Sequence, residues 1–265
     1  MTGLLTTVYS TYVHIVYDLA DKRTESWFLT GPPWIPLLLL GLYLYFVKVA
    51  GPRFMKNRPA YNIDRIIAVY NIAQILICSY LVIKGLSFGW GRKRRVFCEP
   101  VDTSNEPEAI EMATWIWTMY MTKVFDLLDT VFFVLRKKNN QVSFLHVFHH
   151  VMMLDLLYTM ARWNPGGHCV LDGSINCFVH VVMYSYYFIT NAFPEYKKNI
   201  WWKKYITQIQ MVQFILINLH NLPTVIQEDC AFSAFAGRKM YIESILMLIL
   251  FFKFYVNTYW KKKEN

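Results

Sequence analysis

The stretch SWFLTGPPWIPLLLLGLYLYFV, residues 26 to 47, contains no charged residue and is long enough to cross a bilayer as a helix. Three more uncharged runs follow, at residues 66 to 83, 173 to 194 and 205 to 227. Of the 265 residues 55% are apolar and 17% charged, against ~25% charged in soluble globular domains. This composition, with only five cysteines, excludes a soluble domain, a disordered chain and a disulfide scaffold. It predicts an all-α, polytopic membrane protein.

Seven transmembrane helices are predicted. Their ranges are residues 34 to 50, 64 to 88, 113 to 135, 141 to 161, 170 to 191, 203 to 226 and 236 to 259. Ionisable residues interrupt three of these spans, and they are Lys123, Asp126 and Asp129 in the third, Asp155 in the fourth, and Glu243 and Lys253 in the seventh. Because such groups at membrane depth face a protein interior or a watery cavity, we expect these three helices to line one.

The basic residues predict the orientation of the spans. The net charge of +9 alone suggests a nucleic-acid partner, but the apolar excess argues against one. With an outer N-terminus, the cytosolic loops carry 14 Lys and Arg residues and the opposite loops nine, a bias from which only the run at residues 92 to 95 departs. Residues 1 to 33 then form an outer segment and residues 260 to 265 a cytosolic tail. In that tail Lys262 and Lys263 resemble the dilysine signal for retrieval to the endoplasmic reticulum, and a basic membrane-edge anchor is the alternative.

The cysteines test this topology. Cys98 and Cys230 follow the second and sixth spans, so both lie on the non-cytosolic side, where a disulfide can persist. Two unpaired loop thiols are the alternative, and position alone leaves both open. Cys78, Cys169 and Cys177 lie in or beside spans and are expected to pack as small hydrophobes. No Cys-x-x-Cys spacing indicates zinc.

A histidine box in span four is the strongest chemical signal. His146, His149 and His150 are three of seven histidines and share one helical face at i, i+3 and i+4. Inside a membrane span this triad indicates a functional role rather than packing. Three further polar elements are Lys123-x-x-Asp126-x-x-Asp129-Thr130 in span three, Asn176-x-x-x-His180-x-x-Met183-Tyr184-x-Tyr186-Tyr187 in span five, and Thr207-x-x-Gln210-x-x-Gln213 in span six.

The depth of these elements predicts a shared site. With a rise of about 1.5 Å per residue and a hairpin turn near residue 139, Asp129 lies level with His149, and Lys123 with Asp155. The other residues expected in this layer, on the order of 12 to 18 Å from the cytosolic ends, are His180, Gln210 and Gln213. We therefore expect a buried chamber reached from the cytosol, in which Asp129 orients a histidine and Asp155 neutralises Lys123.

Together the four elements resemble the very-long-chain fatty acid elongases of the endoplasmic reticulum, which condense acyl-CoA with malonyl-CoA to 3-oxoacyl-CoA, carbon dioxide and CoA. The resemblance runs from about residue 30 to the C-terminal lysines, although the family usually has Glu where this chain has Asp126. It implies one membrane-embedded domain over residues 1 to 265, lumenal at its N-terminus and cytosolic at its C-terminus. Spans two to seven would form a six-helix barrel around a tunnel closed at the lumenal end. The resemblance also implies a disulfide between Cys98 and Cys230.

The resemblance further implies a ping-pong reaction through an acyl-imidazole, with no metal or redox cofactor. His149 is the expected nucleophile, and the other two box histidines orient it or shuttle protons, held by Asp129 or a backbone carbonyl. His180 and Asn176 are expected to polarise the thioester carbonyl or stabilise the malonyl-derived enolate. The candidate substrate and CoA contacts are Lys123, Asp126, Arg136, Lys137, Tyr184, Tyr187, Lys203, Lys204, Gln210 and Gln213. For the surface cations, a solvated basic flank is the alternative.

The implied partners are acyl-CoA, malonyl-CoA, the lipid bilayer, a second copy in a homodimer, and the ketoreductase, dehydratase and enoyl reductase of the elongation cycle. Two other classes compete. A membrane di-iron desaturase or hydroxylase also uses His-x-x-His-His boxes, but it needs several of them, whereas here His14, His168 and His220 stand alone. A seven-span receptor leaves the charged residues at the depth of the histidine triad unexplained, and the chain lacks an Asp-Arg-Tyr triplet after span three.

Overall fold

The computed structural model describes residues 2–193, 195–196 and 202–260. In those ranges the chain is all helical, with no strand beyond one isolated bridge between Trp90 and Arg94. The α-helices are α1 (Thr2–Val13), α2 (Trp34–Tyr45), α3 (Gly51–Met55), α4 (Asp64–Ser87), α5 (Pro107–Leu135), α6 (Phe144–Trp163), α7 (Cys169–Ala192), α8 (Lys203–Ile226) and α9 (Ala234–Tyr255). The π-helical turns Phe46–Ala50 and Val256–Trp260 join α2 to α3 and extend α9. The predicted retrieval signal at Lys262 and Lys263 lies outside the described residues.

Five helical segments are long and apolar enough to cross a membrane, which makes the chain a multi-pass membrane protein. They are Trp34–Met55, Asp64–Ser87, Phe144–Trp163, Lys203–Ile226 and Ala234–Trp260. The predicted third and fifth spans form helices α5 and α7 but are not among these five. Both have polar side chains along their length, and both bury most of one face against the other helices. Their lower hydropathy therefore reflects a position inside the bundle.

The turn between α5 and α6 sets the register of the histidine box against α5. Helix α5 ends at Leu135, after which Lys137 adopts the left-handed region (φ 54°) and the amide of Lys138 donates to the carbonyl of Phe133 at 2.8 Å. Ser143 then caps α6, since its hydroxyl oxygen accepts from the amide of His146 at 3.2 Å. The fourth helix therefore begins three residues later than the sequence predicts, after a short 3₁₀ turn.

Three loops meet at one end of the bundle. A disulfide joins Cys98, in the loop after α4, to Cys230, in the loop after α8, with 5.2 Å between their Cα atoms. The amide of His168, in the loop between α6 and α7, donates to the carbonyl of Glu99 at 3.0 Å. Gly167 (φ 63°) makes this approach possible, because a Cβ there would lie 2.7 Å from the same carbonyl oxygen. We call this the disulfide end.

The N-terminal segment is hydrogen-bonded to the same end. The buried guanidinium of Arg162, near the end of α6, donates to the carbonyls of Thr30, at 2.5 Å, and of Val16. The hydroxyl of Thr24 donates to the carbonyl of Ala161 at 2.7 Å. These carbonyls partly satisfy a cation that would otherwise be costly to bury, while the Nε of Arg162 has no hydrogen-bond partner among the described residues.

Two histidines that the sequence leaves isolated meet at the disulfide end. The rings of His168 and His220 stack with centroids 3.9 Å apart and planes 6° from parallel. Both nitrogens of His220 face oxygen atoms at 2.6 Å, one on Asp172 and one on the carbonyl of Val96. The ring of His168 accepts from the amide of Cys98 at 3.2 Å. Burial lowers the pKa of His168 to about 4, against the pull of Asp172.

Replacing Cys98 with Ser is expected to lower the thermal midpoint of the purified protein, corresponding to a loss of about 2–5 kcal/mol of stability. The disulfide closes a loop of 132 residues, so its removal frees much of the unfolded chain. Reductant should lower the midpoint of the native protein and leave that of the variant unchanged. Equal midpoints for the two proteins, with no response to reductant, would contradict the bridge.

Replacing His168 with Gln is expected to flatten the loss of thermal stability in acid. The folded state keeps His168 neutral down to about pH 4. The unfolded chain takes up this proton near pH ~6.5. Between these values the unfolded state binds more protons, so stability falls as the pH falls. The native protein should therefore lose more of its thermal midpoint from pH 7 to pH 5 than the variant, and parallel curves would show that His168 does not contribute.

Candidate active site

A buried ion pair on α5 forms the centre of the candidate site. The Lys123 ammonium lies 3.1 Å from the Asp126 carboxylate, and each side chain is 2% exposed. Three residues apart, both occupy one face of the helix. His180 of α7 adds an imidazole whose Nε2 lies 3.3 Å from the ammonium and whose Nδ1 lies 3.8 Å from the carboxylate. A cation, an anion and a titratable ring therefore share one buried layer.

The expectation that Asp155 neutralises Lys123 is wrong. Asp155 of α6 instead pairs with Lys239 of α9 at 2.5 Å, and Lys239 also contacts Glu243 at 2.5 Å. Counting residues along two antiparallel helices predicts which residues lie at the same depth. The rotation of each helix about its axis decides which of those residues face each other. Here Asp155 is directed towards α9, and Asp126, on the same helix as Lys123, supplies the counter-charge.

The hydroxyl of Tyr184, on α7, lies between two carboxylates of α5. It is 2.8 Å from Asp126 Oδ1 and 2.9 Å from Asp129 Oδ2. From α4, the Gln74 amide donates to Asp126 Oδ1 at 2.5 Å and to the Tyr70 hydroxyl at 3.1 Å. The sequence analysis missed Gln74 and Tyr70. Their spacing at i and i+4 within an otherwise apolar span was the available signal.

The histidine box is held by a hydroxyl group. His146 Nε2 lies 2.9 Å from the hydroxyl of Thr130, which lies 2.7 Å from that of Tyr43 on α2. The partner of His146 is thus the residue after Asp129, whose carboxylate is engaged by Tyr184 instead, which corrects the expectation that Asp129 orients a histidine. The contact between Thr130 and His146 still agrees with the predicted axial register of α5 and α6.

The three rings of the box contact one another and lie close to the ion pair. Ring centroids are 4.4 Å apart for His146 and His150 and 5.4 Å apart for His149 and His150. His149 also faces Phe251 of α9, with centroids 6.4 Å apart. The ring of His149 lies within electrostatic range of Lys123. The box and the ion pair therefore belong to one site, as the depth argument predicts.

An apolar cavity begins one helical turn from this polar layer and extends towards the disulfide end. It lies between α5, α6, α7, α8 and α9. Four of its lining residues each lie four positions along a helix from a residue of the polar layer. They are Met119 beside Lys123, Met153 beside His149, Asn176 beside His180, and Met247 beside Phe251. On α6 the lining runs from Met152 to Met160, about 12 Å along the helix axis. The expectation that the third, fourth and seventh predicted spans (α5, α6 and α9) line a cavity is confirmed.

Several of the predicted polar contacts reach this cavity and others do not. Asn176 and Gln213 line it, and the side-chain oxygen of each lacks a hydrogen-bond partner among the described residues. The amide of Gln210 instead lies 3.7 Å from the sulfur of Met183. Tyr187 packs edge-on against the ring of Tyr184, with centroids 5.9 Å apart.

The predicted cationic contacts lie at the opposite end of the helices from the disulfide. Arg136 pairs with Asp64 at 2.7 Å and so ties the end of α5 to the start of α4. Lys137, Lys203 and Lys204 are exposed. The structure thus collects these cations at one rim and does not bring them to the histidine box.

The described residues group potential metal ligands at His168, Asp172 and His220, away from the box. Because the two rings are stacked, their nitrogen lone pairs lie in parallel planes and do not converge on one ion. Both nitrogens of His220 already face oxygen acceptors.

Comparison with known proteins agrees with the resemblance drawn from the motifs. Residues 28–265 match the GNS1/SUR4 (ELO) family. The chain is 39% identical over 254 residues to "Very long chain fatty acid elongase AAEL008004" of Aedes aegypti, covering 95% of this chain and 70% of that protein. It is 35% identical to "Very long chain fatty acid elongase 7" of Drosophila melanogaster, covering 97% and 78% of the two chains. It is 36% identical to human "Very long chain fatty acid elongase 4", covering 94% and 78%.

Replacing Asp126 with Asn is expected to lower stability by about 3–5 kcal/mol, because it leaves the Lys123 ammonium buried without its carboxylate. Adding Lys123→Met to that variant should recover part of the loss. The measurement is the thermal midpoint in detergent of the native protein, both single variants and the double variant. A loss in the double variant equal to the sum of the two single losses would show that the pair is not coupled.

Proposed function

The chain belongs to the GNS1/SUR4 (ELO) family of very-long-chain fatty acid elongases, and from this we propose that it condenses a long-chain acyl-CoA with malonyl-CoA. The products are 3-oxoacyl-CoA, carbon dioxide and CoA, and the reaction is the first step of an elongation cycle. The observation that carries the proposal is the position of the histidine box and the Lys123 cluster at the head of an apolar cavity.

In the first half-reaction, an imidazole nitrogen of His149 attacks the thioester carbonyl of acyl-CoA. The new carbon–nitrogen bond forms as the carbon–sulfur bond breaks, and the leaving CoA thiolate takes the proton of the other ring nitrogen. The acyl chain then lies in the apolar cavity, and the acyl-imidazole is activated enough for attack by carbon. No metal or redox cofactor takes part in this scheme.

In the second half-reaction, malonyl-CoA loses its free carboxylate as carbon dioxide and keeps the electron pair as an enolate. The α-carbon attacks the acyl carbon, and the carbon–nitrogen bond to His149 breaks. The released imidazole nitrogen carries an electron pair and takes up one proton, so each turnover consumes one proton. Only a water-poor site lets the enolate react with the acyl group before it is protonated.

The neighbouring residues have defined tasks in this scheme. His150 fixes the ring of His149 by an edge contact, and His146, held by the Thr130 hydroxyl, fixes His150 in the same way. The Lys123 ammonium, with its partner His180, stabilises the negative oxygen of the enolate or of the thioester adduct. The other proposed substrate contacts are Asp126, Asn176, Tyr187, Gln210 and Gln213.

The proposed topology has seven spans, with α5 and α7 as the enclosed third and fifth. The second to seventh spans form a six-helix barrel, and residues 1 to 265 form one membrane-embedded domain. The disulfide end is lumenal and the rim of cations is cytosolic. At that rim Lys137, Lys203 and Lys204 are free to attract the phosphates of CoA, whereas Arg136 already holds Asp64.

The proposed location is the endoplasmic reticulum membrane, with the N-terminus lumenal and the C-terminus cytosolic. The proposed partners are the two CoA thioesters and the lipid bilayer. The ketoreductase, dehydratase and enoyl reductase that act on the product, and a second copy of this chain, are proposed as protein partners.

Replacing His149 with Ala is expected to abolish condensation without unfolding the protein, because the nucleophile is lost and the box retains two histidines. The measurement is incorporation of labelled malonyl-CoA by membranes that contain the variant, with acyl-CoA substrates of several lengths and degrees of unsaturation.

His14→Ala serves as the matched control, since the side chain of His14 is exposed in the N-terminal segment and its ring pairs with Asp18. Equal expression and thermal midpoints confirm that both variants fold. Incorporation by His149→Ala at the native rate would contradict the assignment of the nucleophile.

A further inference from the structure

The hydroxyl of Tyr184 has one hydrogen and two carboxylate neighbours. Asp126 Oδ1 lies at 2.8 Å and Asp129 Oδ2 at 2.9 Å from the same phenol oxygen. A phenol can donate to only one of them. The second contact then needs a hydrogen of its own, because two oxygens this close without one repel each other. One of the two aspartates is therefore protonated, in addition to the phenol.

The extra proton belongs on Asp129. The charge of Asp126 is matched by the Lys123 ammonium at 3.1 Å, and the amide of Gln74 donates to the same carboxylate at 2.5 Å. Among the described residues, Asp129 has no salt-bridge partner, and its carboxylate accepts from the Tyr184 hydroxyl at 2.9 Å. An unmatched carboxylate at membrane depth is costly, so the neutral acid is favoured there.

The groups that surround Asp129 and Tyr184 support this assignment. From α4, the hydroxyl of Tyr70 lies 3.3 Å from that of Tyr184, and from α7 the ring of Tyr187 packs against that of Tyr184. Both are neutral phenols, so neither offsets a second negative charge. The one cation facing the cluster from the described helices is Lys123, which Asp126 already neutralises.

These contacts form a continuous chain between the rim and the reacting layer. From Asp129 the chain passes through Tyr184 and Asp126 to Lys123, and the ammonium lies 3.3 Å from His180. Asp129 is partly exposed, whereas the other four residues are buried. It also lies six residues, about 9 Å, nearer than Lys123 to the end of α5 that carries the rim of cations. Asp129 is therefore the member of the chain that lies closest to the rim.

We propose that Asp129 and Tyr184 are relay residues that return to the reacting layer the proton that each condensation consumes, and this rests on the proposed function. The Lys123 ammonium gives a proton through His180 to the imidazole released from the acyl group. The Tyr184 phenol then protonates the Asp126 carboxylate, Asp126 passes this proton to the Lys123 amine, and Asp129 gives its acid proton to the Tyr184 phenolate. Water at the rim then reprotonates Asp129, so every group ends as it began.

The relay serves only the second half-reaction. In the first, the proton for the CoA thiolate comes from the imidazole itself, so formation of the acyl-enzyme needs no proton from outside. In the second, the imidazole leaves without a proton and the supply must come from the chain. Loss of a relay residue should therefore separate the two half-reactions, which loss of a merely structural contact would not do.

The test uses the purified full-length protein in detergent, with Tyr184→Phe and Asp129→Asn as variants. Asp129→Asn keeps an acceptor for the Tyr184 hydroxyl but cannot carry an acid proton. Tyr186→Phe is the matched control, because it removes a phenol hydroxyl from the same helix outside the chain of contacts. CoA release from acyl-CoA alone measures the first half-reaction, and formation of 3-oxoacyl-CoA after malonyl-CoA is added measures the second.

We expect both variants to release the native amount of CoA in the first half-reaction, which also shows that they are folded. Each should form 3-oxoacyl-CoA at least about tenfold more slowly, and the double variant no more slowly than either single one. The native protein should show a solvent deuterium isotope effect on the second half-reaction that the variants lose. Tyr186→Phe should behave as the native protein does.

Two results separate this proposal from the proposed function. If both variants consume the acyl-enzyme at the native rate with the native isotope effect, the relay is overturned while the condensation mechanism stands. If the native protein releases no CoA from acyl-CoA alone, the acyl-imidazole scheme fails first, and the relay fails with it.

Discussion

The buried ammonium of Lys123 is the constraint on which the rest of the site depends. A cation removed from water inside a helix bundle needs an anion at contact distance and donors to hold that anion. Asp126 meets the first need from the same helix, and Gln74 and Tyr184 meet the second from α4 and α7. This requirement explains why three helices carry polar residues at one depth.

The two ends of the bundle are built for different purposes. At the disulfide end, loops are joined covalently at Cys98 and Cys230, and the N-terminal segment is fixed by the Arg162 guanidinium. At the opposite end lie exposed cations and the short turn that leads into the histidine box. A cavity that lies between a rigid end and an open rim suits a substrate whose apolar part enters first and whose charged part stays outside.

Spacing along single helices predicted most of what the structure contains, including the helices, the shared face of the box, the common depth of four elements and the cavity beyond them. It was less informative about neighbours. The partners of Asp155 and Asp129 were predicted from their depth alone. Because of the rotation of α6, Asp155 pairs with Lys239, and because the Tyr184 side chain reaches α5, Asp129 contacts Tyr184. Gln74 and Tyr70 were missed because a few polar side chains in an apolar span look like helix contacts until the facing helix is known. His168 and His220 lie 52 residues apart, so no sequence spacing indicates that their rings stack.

Methionine forms much of the cavity wall, and this gives the wall mechanical properties of its own. Six methionines line it, contributed by α5, α6 and α9, and they are Met119, Met152, Met153, Met160, Met240 and Met247. Unbranched thioethers change rotamer at little cost, so such a wall can deform around chains of different bend without moving the helices. The same atoms are open to oxidation, and a sulfoxide in this position would place a polar group in the path of an apolar guest. Adaptability to the guest and sensitivity to oxidants thus arise from one choice of side chain.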